Sequence, residues 1–436
     1  MKKKYVIVLI SAVLLFFCAG IFIYEKATKP VVLEFGMFAG SNWDVENSNS
    51  YTVIDMAIKE FESMHTNVKV TYISGIPKED YSEWLSEQML KGKTPDVFMI
   101  LKDDFDKFSS MGILKNLDLL IEQDEDFNTD DYYATTYNTG KYLGTQYALP
   151  YETVPALMFV NKSLLMKEGN SVPDNNWTWD DFYRICSEVT KDTDANGTID
   201  QFGVYDYSWE EAVYSNGAEL FNNAGTEAYF TDKKVLDSIS FIKKLYQLNN
   251  ETSITKDDFE KGRVAFMPLL FSDYRTYKTY PYKLKKYTNF EWDCVALPSG
   301  PDGDNTSTVN TLLMGVNNHT KNEKLSWEFL KLLTYDKDIQ KNIFNYSQGI
   351  SVLKEVTKSD EAESILLKNM ESSSKTIDNN MLDRVIDKGV IEPKFSKYSD
   401  AMILADSEIT KIIDEDKNID SAMKTLQRDI TSFLKR

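Results

Sequence analysis

Segments typical of buried strands alternate with segments typical of amphipathic helices along the first hundred residues. Residues 31–39 and 68–73 are apolar and strand-like, and a third apolar run, 96–100, is short enough for a buried strand. Between them, residues 51–64 and 81–89 place apolar side chains at helical spacing. Strands that alternate with helices form βαβ units, so this region predicts an α/β fold with a mostly parallel sheet.

The same kind of pattern continues through the middle of the chain and then gives way to helix. Residues 156–160, 264–267 and 292–297 are typical of strands, and a capping-box pattern at Thr178 starts another helix. From about residue 322 the chain is largely helical. The 436 residues contain no low-complexity linker and no short repeat, so the sequence favours two α/β lobes with interleaved segments over separate domains in a row.

Charge and histidine content exclude several classes of function. The formal net charge is −19, and a surface this acidic repels the phosphate backbones of nucleic acids. The two histidines, His65 and His319, are far apart, and the chain has no HExxH, CxxC, GxSxG, GxGxxG or P-loop motif. These absences argue against most common enzyme classes, but not against chemistry by paired carboxylates, which needs no histidine.

The cysteines are too few for a disulfide framework. Cys18, Cys186 and Cys294 form an odd and sparse set. Cys186 lies on the apolar face of a predicted helix and Cys294 lies in a predicted strand. We interpret both as small buried apolar residues.

The N-terminus is predicted to be an export segment. Three lysines at positions 2–4 precede twenty uncharged residues, 5–24, which are enough to span a bilayer as a helix. Lysines on the N-terminal side hold that end in the cytoplasm, so the rest of the chain is expected at the outer face of the cytoplasmic membrane. We therefore exclude residues 1–30 from the fold as a signal peptide or membrane anchor.

Two modes of attachment are open for this segment. Residues 15–20 resemble a bacterial lipobox, in which Cys18 would be lipidated, but the preceding residue, Phe17, is larger than is usual. The apolar run also continues to Tyr24, which favours an uncleaved signal anchor. Either mode tethers the chain to the membrane.

Six segments, in the same order along the chain, resemble extracellular solute-binding proteins of family 1, the maltodextrin-binding type. They include the KGKTPDVF, GILKNL, YALPYE and FEKGRVAF strings. The sequence departs from the family pattern at the lipobox and at Val160, where the family usually has Tyr. The resembling segments are residues 91–98, 112–117, 147–152 with 157–162, 173–182, 259–266, and 325–349.

This resemblance implies a periplasmic-binding-protein-like fold, in which two α/β lobes are joined by crossing segments and enclose a central cleft. The crossings are placed near residues 148–151, 295–298 and 340. The expected division is 31–147 plus 296–340 for lobe 1 and 148–295 plus 341–436 for lobe 2. Hinge closure around a carbohydrate would present the closed form, as a monomer, to the membrane subunits of an ABC permease. No catalysis is implied.

Candidate ligand-binding residues are aromatic and acidic side chains at the positions where the family has its cleft. A sugar ring offers an apolar face to an aromatic ring, and its hydroxyls pair with carboxylates and amides. The loop after the first strand, the segment after residue 100, the predicted hinge and the second lobe each contribute. The candidates are Trp43, Asp44, Asp103, Asp104, Tyr151, Glu152, Trp209, Tyr214, Glu219, Phe271, Tyr274 and Tyr398.

A separate pattern resembles the start of a calcium loop. Its candidate ligands are Asp192, Asp194, Asn196, Thr198 and Asp200. The twelfth position is Gly203, which cannot supply the usual bidentate carboxylate, so a neighbouring loop would have to donate one. The alternative is a polar turn stabilised by Asx hydrogen bonds. No cofactor is expected, and one structural calcium is an open alternative at this loop only.

Two further functions are kept as alternatives to transport. An extracellular glycosidase could use Asp103 and Glu152 as its pair of carboxylates. A ligand-binding partner of a sensor kinase would share the fold and differ in its docking surface.

Overall fold

The computed structural model describes residues 29–250, 252–279, 290–368, 377–393 and 395–435. The predictions for Cys18 and for the export segment up to residue 28 therefore lie outside the described residues. The strands are β1 Val31–Gly36, β2 Val68–Tyr72, β3 Val97–Ile100, β4 Lys141–Tyr142, β5 Thr145–Gln146, β6 Ala148–Asn161, β7 Phe202–Val204, β8 Val264–Leu270, β9 Trp292–Val295, β10 Val309–Val316 and β11 Ile350–Ser351.

Helices cover most of the remaining described residues, together with three short 3₁₀ turns at Lys102–Asp104, Thr129–Asp131 and Gln247–Asn249. The helices are α1 Thr52–Met64, α2 Lys78–Leu90, α3 Phe105–Ser110, α4 Asp118–Gln123, α5 Ala134–Asn138, α6 Lys162–Lys167, α7 Trp179–Val189, α8 Trp209–Ser215, α9 Lys233–Tyr246, α10 Lys256–Glu260, α11 Phe271–Thr279, α12 Glu323–Tyr335, α13 Lys337–Tyr346, α14 Lys354–Thr357, α15 Asp360–Lys368, α16 Asn379–Asp387, α17 Tyr398–Asp414 and α18 Ile419–Leu434.

One long strand, β6, belongs to two parts of the main sheet. Its residues 148–155 pair with β10, and β11 also pairs with this part. Its residues 156–161 pair with β8 and β9. All fourteen residues of β6 are buried. We call the strands β2, β1, β3, β10 and β11 with residues 148–155 the first half-sheet, and residues 156–161 with β9, β8 and β7 the second half-sheet.

The expected parallel pairing is found only toward the two ends of the sheet. Strand β1 pairs in parallel with β2 and β3, and β7 pairs in parallel with β8. Around β6 the pairing is antiparallel, as it is between β10 and β3. The prediction of a mostly parallel sheet is therefore wrong at the centre, because the chain passes back and forth between the two half-sheets there.

Each half-sheet has its own helices. Helix α1 packs with α12 and α13 on the first half-sheet, and α16 packs against α5 and β6. On the second half-sheet, α7 packs on β7, and α9 packs with α8, α17 and α18. Beyond α16, the backbone N–H of Val390 donates to the Ser307 carbonyl across 2.9 Å.

Several local predictions are confirmed. Thr178 caps α7 in a reciprocal capping box with Asp181. Cys186 and Cys294 are both free and fully buried, as expected for small apolar residues.

Within the described ranges, no helix combines the length and the apolarity needed to cross a membrane.

Candidate functional site

Two of three cavities lie along the seam where the two halves of the molecule, each a half-sheet with its helices, face each other, and the smallest lies within the first half. Their volumes are about 530, 170 and 30 Å³. The largest lies beside the end of β3, the smallest beside the middle of β6, and the third beside α11. A larger groove, of about 1300 Å³, lies on the outer face of the first half between α1 and α12 and is separate from the seam.

The 530 Å³ cavity is lined from both halves of the molecule. On the first half, the 3₁₀ turn after β3 and helix α3 contribute Lys102, Asp103, Asp106 and Lys107, and Tyr142 adds a ring. The carboxyl end of a strand in an open α/β sheet is a common position for a ligand.

The opposite wall of this cavity is formed by the segment that leads into α17. It supplies the Glu392 carboxylate and the rings of Phe395 and Tyr398. These two rings are 5.6 Å apart in an edge-to-face arrangement. The cavity thus combines aromatic rings and charged groups on both of its walls.

Charged groups meet across the 530 Å³ cavity. The Lys102 ammonium forms an ion pair with the Glu392 carboxylate on the opposite wall. Burial raises the pKa of Glu210 to about 7, and the negative charges of Glu392 and Asp406 add to this effect, whereas Lys102 opposes it. The cavity lining itself carries the carboxyl groups of Asp103, Asp106 and Glu392, whereas Glu210 and Asp406 lie outside the lining.

Trp209 and Tyr214 support the second-half wall of this cavity from behind. Both are buried residues of α8. The Trp209 indole Nε1–H donates to the Asp406 carboxylate across 3.0 Å, and the Tyr214 and Tyr398 hydroxyl oxygens lie 3.4 Å apart. Of this group, Tyr398 lines the cavity directly and Trp209 and Tyr214 lie behind it.

Glu152 is the centre of a hydrogen-bonded cluster at the 30 Å³ cavity. Its carboxylate accepts the Trp43 indole N–H across 3.1 Å and also accepts the Ser347 hydroxyl. Tyr151 and Glu152 are each 5% exposed, and both line this cavity. Burial raises the pKa of Glu152 to about 7, although the two hydrogen bonds and the Arg275 charge oppose the shift.

The 170 Å³ cavity lies between α11 and the loop that follows β1. Its lining includes Tyr274, Arg275 and Lys278 of α11, and it includes residues 46–49 and 345–348 of the first half. Tyr274 is 3% exposed, and its hydroxyl oxygen has no hydrogen-bond partner among the described residues. Phe271 is fully buried and stacks on Tyr274.

Three other candidates lie away from these cavities. Asp44 is exposed and pairs with Lys78 across 2.8 Å. Asp104 is buried within the first half, where the Ser82 hydroxyl donates to its carboxylate, and burial raises its pKa. Glu219 is exposed and lines none of these three cavities.

The predicted calcium loop is an exposed hydrogen-bonded turn. The Asp192 carboxylate accepts the backbone N–H groups of Asn196 and Gly197 across 3.2 and 2.6 Å, and these bonds lower its pKa. Asp200 accepts from Thr193, and Asp194 accepts from Asn196. Over the described ranges, no group of three or more His, Cys, Asp or Glu side chains is placed to hold a metal ion. The Asx-turn alternative accounts for these contacts, so we favour it over calcium binding.

Sequence reasoning missed the residues that reach the seam from distant parts of the chain. Glu392 faces Lys102 across 290 positions, and Glu210 and Asp406 join them from two different helices. Arg275 reaches the first half from α11. No local pattern marks these positions, because isolated charged residues usually face solvent.

The sequence is similar to those of known bacterial binding proteins. The family described as bacterial extracellular solute-binding protein matches residues 45–339, which is more than half of the chain. A binding protein of Brucella abortus is 22% identical over 323 residues, which cover 69% of this chain and 73% of the relative.

Solved structures match almost the whole chain. The cyclic α-maltosyl-1,6-maltose binding protein of Arthrobacter globiformis has a TM-score of 0.77 at 15% identity, with 93% of this chain and 99% of that chain covered. The sugar-binding protein MalE of Xanthomonas citri has a TM-score of 0.73 at 14% identity, with 93% and 97% covered. A Listeria monocytogenes ABC substrate-binding protein in complex with cycloalternan has a TM-score of 0.67 at 18% identity, with 93% and 99% covered. At these identities the likeness shows the fold.

Proposed function

The chain belongs to the bacterial extracellular solute-binding proteins, and on this premise we propose that it captures a carbohydrate in the cavity between its two lobes and delivers it to an ABC permease. The family and the structural neighbours are binding proteins rather than enzymes, so the chain is not a glycosidase. The observation that carries the proposal is the 530 Å³ cavity, which both halves of the molecule line.

The chemistry of this cavity suits a carbohydrate. Its volume falls within the range of small-molecule pockets, which is about 300–1,000 Å³. Phe395 and Tyr398 offer rings for the apolar face of a sugar, and Asp103, Glu392 and Lys102 offer charged partners for its hydroxyls. Sugar-binding neighbours with the same fold support this ligand class.

We propose that each lobe is built on one of the two half-sheets. The predicted division assigns residues 31–147 plus 296–340 to lobe 1 and residues 148–295 plus 341–436 to lobe 2. The contacts favour a later third crossing, because α13 and α16 pack on the first half-sheet and Val390 bonds to Ser307. We therefore propose that residues 341–386 belong to lobe 1.

Attachment and partners are also proposed from family membership. The chain would act as a monomer at the outer face of the cytoplasmic membrane, held by a lipid on Cys18 or by an uncleaved N-terminal helix. Its closed form would dock on the membrane subunits of the permease. Service as the ligand-binding partner of a sensor kinase stays open, because it would use the same cleft.

A thermal-shift screen of mono- and oligosaccharides on the full chain tests the proposal. A ligand at about 100 times its dissociation constant should stabilise the fold by about 2.7 kcal/mol, which shifts the melting temperature by a few degrees. We expect at least one carbohydrate to produce such a shift. Amino acids, peptides and metal ions serve as the comparison set, and stabilisation by that set alone would argue against a carbohydrate ligand.

A further inference from the structure

The Arg275 side chain connects the two halves of the molecule, because it donates hydrogen bonds to backbone carbonyls of the other half. It lies on α11, directly after β8 of the second half-sheet. Its guanidinium donates to the carbonyl of Phe344 across 2.5 Å and to the carbonyl of Gly349 across 3.1 Å. Both carbonyls belong to the first half, at and just beyond the C-terminal end of α13.

The first-half acceptors suit a cation. The Phe344 carbonyl is one of the last four of α13, which have no partner within the helix. The C-terminal end of a helix also carries a partial negative charge, which favours a positively charged side chain. A planar guanidinium can serve two acceptors at fixed angles at once.

A carboxylate on the shared strand interacts electrostatically with the same guanidinium. The charge of Glu152 on β6 acts on Arg275, and the two groups stabilise each other's charged forms. Glu152 is itself held in the first half by Trp43 and Ser347. A side chain added at Gly349 would place its Cβ 2.8 Å from the Glu152 carboxylate, so the glycine allows this close packing.

We propose that Arg275 is an interlobe latch, which holds the closed arrangement of the two lobes before any carbohydrate is bound. In this arrangement the guanidinium of one lobe caps a helix of the other, and Glu152 supplies the counter-charge. A hinge movement that separates α11 from α13 breaks both hydrogen bonds together. The closed form is thus stabilised by the protein's own contacts, and a ligand needs to supply less of the closing energy.

The effect of the latch on ligand binding rests on the proposed two-lobed binding function. The experiment that tests the latch uses no carbohydrate. The full chain is purified in detergent and dialysed exhaustively. Spin labels on Met111→Cys and Ile403→Cys, in a Cys18→Ala background, report the distance between the two lips of the 530 Å³ cavity. Met111 and Ile403 are 63% and 69% exposed, and the native Cys186 and Cys294 are fully buried.

The ligand-free protein should give one short distance, and Arg275→Met should add a longer component. Two hydrogen bonds from a charged group correspond to a loss of about tenfold or more in the ratio of closed to open forms. Arg184→Met, on the exposed face of α7, is the matched control and should leave the distribution unchanged. If Arg275→Met does not fold, Arg275→Lys replaces it, because one ammonium cannot serve both carbonyls at the guanidinium's angles.

Two results would overturn the latch. One is a ligand-free protein that already shows the long distance. The other is a folded Arg275 variant whose distance distribution equals that of the unsubstituted chain. Neither result bears on whether a carbohydrate binds, so the failure of the latch and the failure of the proposed function are distinguishable.

Discussion

The indole N–H of Trp43 donates to the carboxylate of Glu152 across 3.1 Å, although 109 positions separate the two residues. Trp43 lies in the polar loop after β1, where it could have lined an open cleft or folded back. It is 7% exposed and packs in the core. This hydrogen bond fixes the loop to β6, the strand that both half-sheets share.

Replacement of Trp43 by Phe should lower the free energy of unfolding. Phe keeps an aromatic ring but removes the N–H that satisfies a buried carboxylate, which costs about 1–3 kcal/mol. Trp84→Phe is the control, because Trp84 lies partly buried on α2 and stacks on Tyr81. Denaturant unfolding of both variants at pH 8 measures the difference, and equal losses for the two would contradict the assigned contact.

The raised pKa of Glu152 makes stability depend on pH. Its pKa is about 7 in the fold against an ordinary value of 4.5. Between these values the native state binds more protons than the unfolded state, so the free energy of unfolding falls as the pH rises. Below pH 4.5 both states are protonated and the contribution vanishes.

Glu152→Gln should remove this part of the pH dependence. The variant should gain stability relative to the unsubstituted chain as the pH rises from 5 to 8, with an upper limit of about 3 kcal/mol. Exposed Glu87→Gln serves as the control. A stability difference that does not change between pH 5 and pH 8 would show that Glu152 is ionised in the fold over the whole range.

Gly349→Ala tests the close packing around the same carboxylate. The new Cβ would lie 2.8 Å from Glu152 Oε2 and 3.1 Å from its carboxyl carbon, so the carboxylate must move away from Ser347. Such overpacking costs about 1–3 kcal/mol. An unchanged melting temperature for Gly349→Ala would contradict this packing.

The loop from Asp192 to Asp200 should melt alike with and without a chelator. Its carboxylates are already engaged by backbone N–H groups of the same turn, which makes metal unnecessary for its shape. Calorimetry of the full chain in EDTA and in excess calcium measures this directly. A lower melting temperature in EDTA that Asp194→Ala abolishes would establish the calcium site instead.

More of the fold than of the site could be predicted from the sequence, because the patterns that indicate strands and helices are local. The spacing of Val53, Ile54, Ala57 and Phe61 is enough to indicate α1 and its buried face. The antiparallel centre of the sheet could not be predicted this way. The double membership of β6 depends on which distant strands pair with it, and its fourteen buried residues give no alternation to indicate where one half-sheet ends.

The sequence predicted which regions of the chain contribute to the site, but not which side chains line it. Asp103 and Asp104 are neighbours, yet Asp103 lines the cavity and Asp104 turns inward to Ser82. The 3₁₀ turn decides which of the two faces the cavity, and a sequence pattern does not resolve that choice. Glu392 and Arg275 act across the seam, so their roles exist only once the chain has folded.

The central claim is that a carbohydrate binds between the two lobes. Isothermal titration of the carbohydrate found by the thermal screen, against the unsubstituted chain and against Tyr398→Ala, tests it most directly. Tyr398 lines the 530 Å³ cavity, so loss of its ring should weaken binding about tenfold or more, whereas Tyr183→Ala on α7 should bind as the unsubstituted chain does. Equal affinity of the folded Tyr398→Ala variant and the unsubstituted chain would contradict the account.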